Sequence, residues 1–367
     1  MKKVFLIIFA LILCMILTAC DSENIIESGS VLGSGLGHSS DNEEFSDPNQ
    51  LAKGVHIAYD RTKYENVTAP KCYYAELGKI EEQTLLDLFS SEPEYTERAD
   101  GMKWYTTNTE TGYLNKGSLT RRNGHADTYH LSFWTQAGND YDSADSYWIP
   151  SSGCNFENYS TTKEFDFMTY DELKADFLDK TKGIFSTELE FYIFPIDAES
   201  YLKEVEFLDA VTKLKPEEKV WSEAADHYYV KVLQTVDGIP ISPFLSGSLE
   251  QGTSAEGCDL AAVYTENGLE YLVLETPWRI LGEAPTENTF LSLQDAEEII
   301  RSKNNTLDLY SISMRKDVTI KNIRLAYMPV VKSEGTILTP FWEFCSDFWG
   351  TEYALYSINA YTGEMLR

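Results

Sequence analysis

The feature that most constrains the fold of this chain is an internal repeat in its second half. The segment DGIPISPF at residues 237–244 matches EGTILTPF at residues 334–341, an offset of 97 residues. Each copy follows a β-rich run, at residues 228–236 and 323–331, and places an acid-Gly pair before the next extended segment. An acidic residue followed by glycine is typical of the tight turn of a β-hairpin. The repeat therefore predicts two related antiparallel hairpins.

A helix with the same start signal precedes each hairpin. Thr169 stands three residues before Glu172, and Ser292 stands three residues before Asp295. In this arrangement the hydroxyl and the acid each accept a hydrogen bond from an unpaired backbone N–H at the helix start. The first copy also has room for a further helix, near residues 199–214. Each repeat is thus predicted to be a helix that packs on a meander of antiparallel strands.

Ahead of the repeats, residues 54–165 predict a lobe that combines a helix with short strands. Residues 79–89 place their apolar side chains on one side of a helix. Residues 103–105 and 129–134 alternate between apolar and polar side chains, as half-buried strands do. The predicted fold class is therefore α+β, with antiparallel sheets and packed helices, in which an N-terminal α+β lobe precedes tandem helix-plus-meander units.

The first residues have the features of a secretory signal. Lys2 and Lys3 precede an uncharged apolar run over residues 4–17. A membrane-spanning helix needs about 20 residues, so this run is too short to be one. The sequence Leu17-Thr18-Ala19-Cys20 follows, and in these residues the chain resembles the bacterial lipoprotein family. The alternative is an uncleaved N-terminal helix with an incidental cysteine.

The lipoprotein resemblance implies cleavage behind Ala19 and lipidation of Cys20, which becomes the first residue of the mature protein. The acyl chains would hold the protein at the extracytoplasmic face of the cell membrane, at about 0.8 kcal/mol per buried methylene. Residues 20–53 have few large apolar side chains and many Ser, Gly, Asp and Glu residues. They predict a disordered acidic tether between the lipid and the folded body.

These signals divide the chain into five predicted parts. They are a signal peptide at 1–19, the lipidated cysteine and tether at 20–53, the N-terminal lobe at 54–165, a first repeat at 166–285 and a second repeat at 286–367. The second repeat ends in INAYTGEM, behind a strand PFWEF. In these segments it resembles PepSY-type and YycH/YycI-type domains of Gram-positive envelopes. The whole chain also resembles uncharacterised Gram-positive lipoproteins that carry a domain of unknown function.

The PepSY-like resemblance implies an extracytoplasmic helix-on-sheet fold. Where such domains have a role, it implies inhibition of proteases or regulation of sensor kinases through protein contacts. No catalytic residue comes with the resemblance, and this chain has a lipid anchor where YycH/YycI-type proteins have a transmembrane helix. A regulatory role is therefore an analogy at the level of the fold.

The net charge of the chain narrows the classes of partner. It has 59 acidic and 30 basic residues, a formal net charge of −29. An acidic surface repels phosphate backbones, which argues against nucleic-acid binding. Neutral or cationic partners are favoured, such as a divalent ion, a basic peptide, a sugar or the positive patch of another protein. The simpler interpretation is that the charge keeps an exported protein soluble.

The cysteines of the mature chain leave their redox state open. Cys72, Cys154, Cys258 and Cys345 are separated by long intervals, and no pair has the spacing of a zinc knuckle or a redox motif. In an exported protein they could form two disulfides, and they could equally be buried as small apolar side chains.

Two segments are weak candidates for a metal site. His125 and Asp127 share one face of a predicted strand, while His130 points to the other face. A polar turn further on carries Asp140, Asp142 and Asp145. These carboxylates could offer oxygens to Ca²⁺, but the turn lacks the Gly and the closing Glu of a hand-type loop. Solvent-facing polar residues are the commoner interpretation of both segments.

No signature of an enzyme stands out. The chain has five histidines and no G-x-S-x-G motif, which gives little support to nucleophilic catalysis by serine. Sugar hydrolysis requires only two correctly spaced carboxylates, so the 59 acids of the chain neither indicate nor exclude it. Its seven tryptophans could form a stacking platform for glycans, although such residues more often pack in cores. They are Trp104, Trp134, Trp148, Trp221, Trp278, Trp342 and Trp349.

The leading hypothesis from the sequence is a non-enzymatic membrane-anchored lipoprotein that binds a protein or peptide of the cell envelope, with a basic partner favoured by the charge. The alternative is a carboxylate-based envelope hydrolase or a glycan-binding protein. A solute-binding lipoprotein would need the alternating strands and helices of doubly wound domains, and these are missing.

Overall fold

Strands dominate the structure. The computed structural model describes residues 48–52, 55–98, 102–121, 124–135, 162–203, 206, 221, 223–243, 248–249, 252–254, 258–286, 288–303, 318–333, 335–348 and 351–366. It is 51% strand and 18% helix. The predicted α+β class is therefore wrong, and the fold is β-rich. Residues 110–135, where the sequence predicted only short strands, form two of the longest strands in the protein.

The strands are numbered in chain order. They are β1 Gln50–Ala52, β2 Val55–Ile57, β3 Cys72–Leu77, β4 Glu94–Glu97, β5 Lys103–Thr106, β6 Glu110–Arg121, β7 Gly124–Thr135, β8 Glu188–Ile196, β9 His227–Val236, β10 Ile239–Pro240, β11 Ser248–Leu249, β12 Gly252–Ser254, β13 Asp259–Thr265, β14 Gly268–Glu275, β15 Trp278–Ala284, β16 Val318–Ile320, β17 Asn322–Lys332, β18 Gly335–Phe348 and β19 Thr351–Asn359. The α-helices are α1 Glu82–Leu86, α2 Tyr170–Lys180 and α3 Leu293–Lys303. Residues 198–203 are also helical and overlap the start of the further helix predicted near 199–214.

The described strands form three sheets. A nine-stranded sheet has the order β10-β9-β13-β14-β7-β6-β5-β4, with β8 on the other edge of β9. A seven-stranded sheet has the order β11-β12-β17-β18-β3-β15, with β19 also paired to β18. In the small third sheet β2 pairs with β1 antiparallel and with β16 parallel. Both large sheets are antiparallel throughout these pairings.

The predicted hairpins are confirmed. Val236 of β9 pairs with Ile239 of β10, so Asp237 and Gly238 form a two-residue turn. Both turn residues have positive φ, 51° and 74°, as this kind of hairpin turn requires. In the second copy, β17 and β18 pair along their length as far as Lys332 and Gly335. The two copies lie in different sheets, the first in the nine-stranded sheet and the second in the seven-stranded sheet.

The predicted helix starts are also confirmed. The Thr169 hydroxyl accepts from the Glu172 N–H, and the Glu172 carboxylate accepts from the Thr169 N–H at 2.9 Å. Ser292 and Asp295 make the same reciprocal pair, at 2.8 and 3.2 Å. The helix predicted over residues 79–89 is shorter than expected, since α1 spans only the five residues Glu82–Leu86. Its start has no side-chain cap, unlike the starts of α2 and α3.

The largest hydrophobic core lies between the two large sheets. It joins Phe133 and Leu260 of the nine-stranded sheet to Tyr327 and Leu338 of the seven-stranded sheet, and α2 adds Phe177. A second core holds α3 against the other end of the seven-stranded sheet and the small sheet. Strands from the predicted N-terminal lobe lie in all three sheets, since β2 is in the small sheet, β3 in the seven-stranded sheet and β4 to β7 in the nine-stranded sheet.

Three of the four cysteines that follow Cys20 are buried, and one of them, Cys258, belongs to the largest core. Cys72, Cys258 and Cys345 are buried thiols. Burial raises the pKa of the Cys72 thiol to about 11. Cys154 lies outside the described residues. In the described ranges, no helix has the length and apolar character that crossing a membrane requires.

Candidate functional site

A cleft of about 510 Å³ opens between α2, the ends of β6 and β7, and the turn that joins β13 to β14. Strand pairing places its walls together, because Glu110 of β6 pairs directly with Thr135 of β7. The turn between β13 and β14 adds Gly268, whose φ of 95° favours glycine. The charged residues lining the cleft are Glu110, Asp176, Lys180 and Glu270.

Glu110 is held in place by donors that carry no charge. Its carboxylate accepts from the backbone N–H of Ser90 at 3.0 Å and from the Ser90 hydroxyl at 3.0 Å. The Thr107 hydroxyl donates a further bond at 3.2 Å. Hydroxyl and amide donors orient a carboxylate without cancelling its charge. Glu110 therefore contributes a negative charge to one wall of the cleft.

Glu270 is the most buried acid in the cleft, at 5% exposed. Its carboxylate accepts from the hydroxyls of Thr135 and Thr265, the latter at 3.2 Å. The same Thr265 hydroxyl accepts from the backbone N–H of Asn267 at 3.1 Å. These contacts fix Glu270 relative to the turn and to β7, so its position does not depend on a bound ligand.

Asp176 lies on α2, on the opposite wall. Its Oδ1 is 3.5 Å from the ammonium of Lys180, one helical turn later. Its Oδ2 has no hydrogen-bond partner in the described part of the chain. Beneath it lies Tyr264, fully buried, and burial together with the nearby Asp176 carboxylate raises the pKa of the Tyr264 hydroxyl. The buried Oδ2 therefore faces Tyr264, and a ligand in the cleft would reach the Asp176 carboxylate through the rest of its side chain, which is 37% exposed.

The cleft is negatively charged overall, because three carboxylates face one ammonium. A cationic group that enters the cleft could donate hydrogen bonds to the carboxylates of Asp176 and Glu110, which both line it. No signal in the sequence singles out these acids among 59. Glu110, Asp176 and Glu270 come from three separate segments, and only the pairing of β6 with β7 and the packing of α2 bring them together.

None of the candidates selected from the sequence is among the described residues that line this cleft. His125 and Asp127 lie in β7, where their backbones pair with Thr120 and Ser118. The positions of their side chains are outside the described part of the structure. Among the residues whose side chains are described, no three His, Cys, Asp or Glu residues converge as metal ligands would.

The remaining predicted residues lie outside the described ranges. They are Ala19, Cys20, Asp140, Asp142 and Asp145. The lipid anchor and the Ca²⁺ site therefore stay predictions. Of the seven tryptophans, Trp278 and Trp342 are core residues, at 2% and 0% exposed, and Trp104 and Trp134 lie together at a partly exposed face. Trp221 is partly buried against a small apolar cluster, and Trp148 and Trp349 lie outside the described residues.

Comparison with known proteins supports the fold and leaves the activity open. No family model and no curated protein matches the chain. The crystal structure of an uncharacterized protein from Eubacterium rectale ATCC 33656, at 1.45 Å resolution, is similar with a TM-score of 0.51. The alignment has 14% sequence identity and covers 87% of this chain and 92% of that chain. At this identity the likeness shows a shared fold alone. The lipoprotein and PepSY-like resemblances stay predictions.

Proposed function

We propose that this chain is a lipid-anchored extracytoplasmic protein that binds a basic segment of an envelope protein or peptide in the carboxylate cleft. The proposal depends on the negative charge of the cleft, which is lined by three carboxylates and one ammonium group. A lysine or arginine side chain has the charge and the donors to reach both Asp176 and Glu110. The net charge of −29 would attract such a partner from a distance.

The sequence supports the location, through the secretory signal and the lipobox that ends at Cys20. Metabolic labelling with a palmitate analogue tests this part. We expect the label on the wild-type chain and its loss in the Cys20→Ser variant. Retention of the label by Cys20→Ser would contradict lipidation at this residue.

A carboxylate-based hydrolase is the less favoured use of the same cleft. A general acid must hold its proton within reach of the leaving group of the substrate. The carboxylate oxygens of Glu110 and Glu270 instead accept bonds from several hydroxyl or amide donors of the protein. This arrangement suits recognition of a cation better than proton transfer.

Calorimetric titration of the full chain with hexalysine and hexaarginine tests the cleft. We expect binding that weakens with added salt, because the attraction is electrostatic. Asp176→Asn should weaken binding about fivefold, since one exposed charge contact is worth about 1 kcal/mol. Glu190→Gln removes one charge at an exposed position of β8 and is the matched control.

Two results would contradict the proposal. One is the absence of binding to either peptide at low salt. The other is an equal loss of affinity in Asp176→Asn and Glu190→Gln, which would show a general charge effect without a site. If the peptides bind as expected, cross-linking in the envelope should identify a protein partner, and Asp176→Asn should reduce the capture of that partner.

A further inference from the structure

The carboxylate cleft has an apolar surface as well as charged groups. Leu88, Phe133, Met168 and Leu269 line it together with the acids. Phe133 belongs to the largest core and is 2% exposed. The other three side chains are partly buried and pack against that core. We call these four residues the apolar lining, and a ligand in the cleft meets this hydrocarbon surface in addition to the carboxylates.

The apolar lining favours one class of cation over another. A bare metal ion such as Ca²⁺ takes oxygen ligands on all sides, and hydrocarbon offers none. Lysine and arginine carry their charge at the end of an aliphatic stem, and they lay that stem along apolar surface while the head group reaches a polar one. A side chain of this kind can place its stem on the apolar lining and its head group at Asp176 or Glu110.

The cleft already holds one side chain of this class. Lys180, the last residue of α2, lines the cleft, and its side chain is 34% exposed. Its ammonium is 3.5 Å from Oδ1 of Asp176. A direct charge-assisted hydrogen bond would be about 2.7–2.9 Å long, so this pair is loose. Ion pairs one helical turn apart are also weak, and a partner's cation can therefore displace the Lys180 ammonium.

We infer that the cleft takes one long-stemmed cationic side chain of the partner, in the place that the Lys180 side chain holds in the free protein. The assignment rests on the proposed function and adds that the alkyl stem is recognised together with the charge. The stem lies on the apolar lining, the head group donates to Asp176 and Glu110, and Lys180 moves away from Asp176. Lys180 is thus a competitor within the chain that lowers the affinity for the partner.

Calorimetric titration of the full chain with hexalysine, hexaornithine and hexa-diaminobutyrate separates the stem from the charge. The three peptides carry the same charge at about pH 6. Ornithine is one methylene shorter than lysine, and diaminobutyrate is two methylenes shorter. We expect the affinity to fall about threefold with each methylene removed, because its burial is lost. Added salt should weaken all three complexes and leave their ratios unchanged, since salt screens charge and not hydrocarbon contact.

Leu269→Gln removes part of the apolar lining without a change of charge. We expect the preference for hexalysine over hexa-diaminobutyrate to fall from about ninefold to about threefold. The matched control is Leu281→Gln. Leu281 is 57% exposed on β15, in the other large sheet, and does not line the cleft. This control should keep the preference of the wild-type chain.

Lys180→Ala removes the competitor. The matched control is Lys182→Ala, which loses the same charge at an exposed position that does not line the cleft. Lys180→Ala should strengthen hexalysine binding about twofold more than Lys182→Ala does. The peptide series uses the wild-type chain, so it tests the inference even where a variant fails to fold.

Two results would overturn this inference alone. One is equal affinity for the three peptides, with hexalysine binding that Asp176→Asn still weakens. The other is an equal gain in Lys180→Ala and Lys182→Ala. An absence of binding by all three peptides at low salt would instead contradict the proposed function itself, and the inference with it.

Discussion

Arg61 donates two hydrogen bonds to the buried carboxylate of Glu297, from Nε at 2.8 Å and from Nη2 at 3.2 Å. The same carboxylate accepts from the Tyr59 hydroxyl at 2.5 Å and from Arg301 at 2.9 Å. Arg61 also donates to the carbonyl of Pro48 at 2.8 Å. This network connects the start of the described chain to α3, across more than 230 residues of sequence.

We predict that Glu297→Gln lowers the free energy of unfolding by about 2–3 kcal/mol. Breaking a fully buried ion pair costs about 3–5 kcal/mol. The expected loss is smaller because Arg61 is 36% exposed, so water screens part of the uncompensated charge. Urea unfolding measures the difference.

Glu298→Gln is the control for this prediction, since Glu298 is the next residue of α3 and is exposed. Its effect should stay within about 0.5 kcal/mol. Equal effects of the two substitutions would show that the network around Glu297 contributes nothing specific.

The Glu297 network also predicts how stability depends on pH. Burial alone would raise the pKa of Glu297, but hydrogen bonds from Arg61 and Tyr59 outweigh burial and hold that pKa below its ordinary value. A lowered pKa gives stability that is present above the unfolded-state pKa, about 4.3 for Glu, and is lost as the pH falls through the folded-state value. The gap between wild type and Glu297→Gln should therefore narrow below about pH 4. A gap that stays constant from pH 7 to pH 3 would contradict this.

The turn at Gly238 provides a test of backbone strain. Its φ is 74°, and a Cβ added there would meet no atom within 4 Å. The cost of a substitution is therefore conformational, and we predict that Gly238→Val destabilises the protein by about 1–2 kcal/mol. Gly238→Asn should cost less, since Asn adopts positive φ more readily. Thermal unfolding of both variants decides this, and equal losses would point to another cause.

The burial of Cys72 predicts its reactivity. Because burial raises the pKa of this thiol to about 11, little thiolate exists at pH 8. We predict slow alkylation of Cys72 by iodoacetamide in the native protein and full alkylation in urea without a reductant. Mass spectrometry of the peptides measures both rates. Failure to alkylate in urea would reveal a disulfide at Cys72.

Several local features of this fold could be predicted because neighbouring residues encode them. The turn at Asp237 and Gly238 depends on the φ preferences of those two residues, and the starts of α2 and α3 depend on side chains three residues apart. The runs predicted before the two turns, residues 228–236 and 323–331, match β9 and β17 within a residue at each end. The lipobox at Cys20 is likewise a local pattern, which is why the sequence supports the proposed location.

The fold class and the carboxylate cleft depend on contacts between distant residues. The pairing of β7 with β14 joins Trp134 to Tyr271 and His130 to Glu275, and no local signal selects that partner strand. The cleft acids similarly come from β6, α2 and β14. By itself the sequence determined the turns, the helix caps and the alternation of the strands. Only the tertiary structure decided which strands are neighbours, because burial between the two sheets is a property of the whole chain.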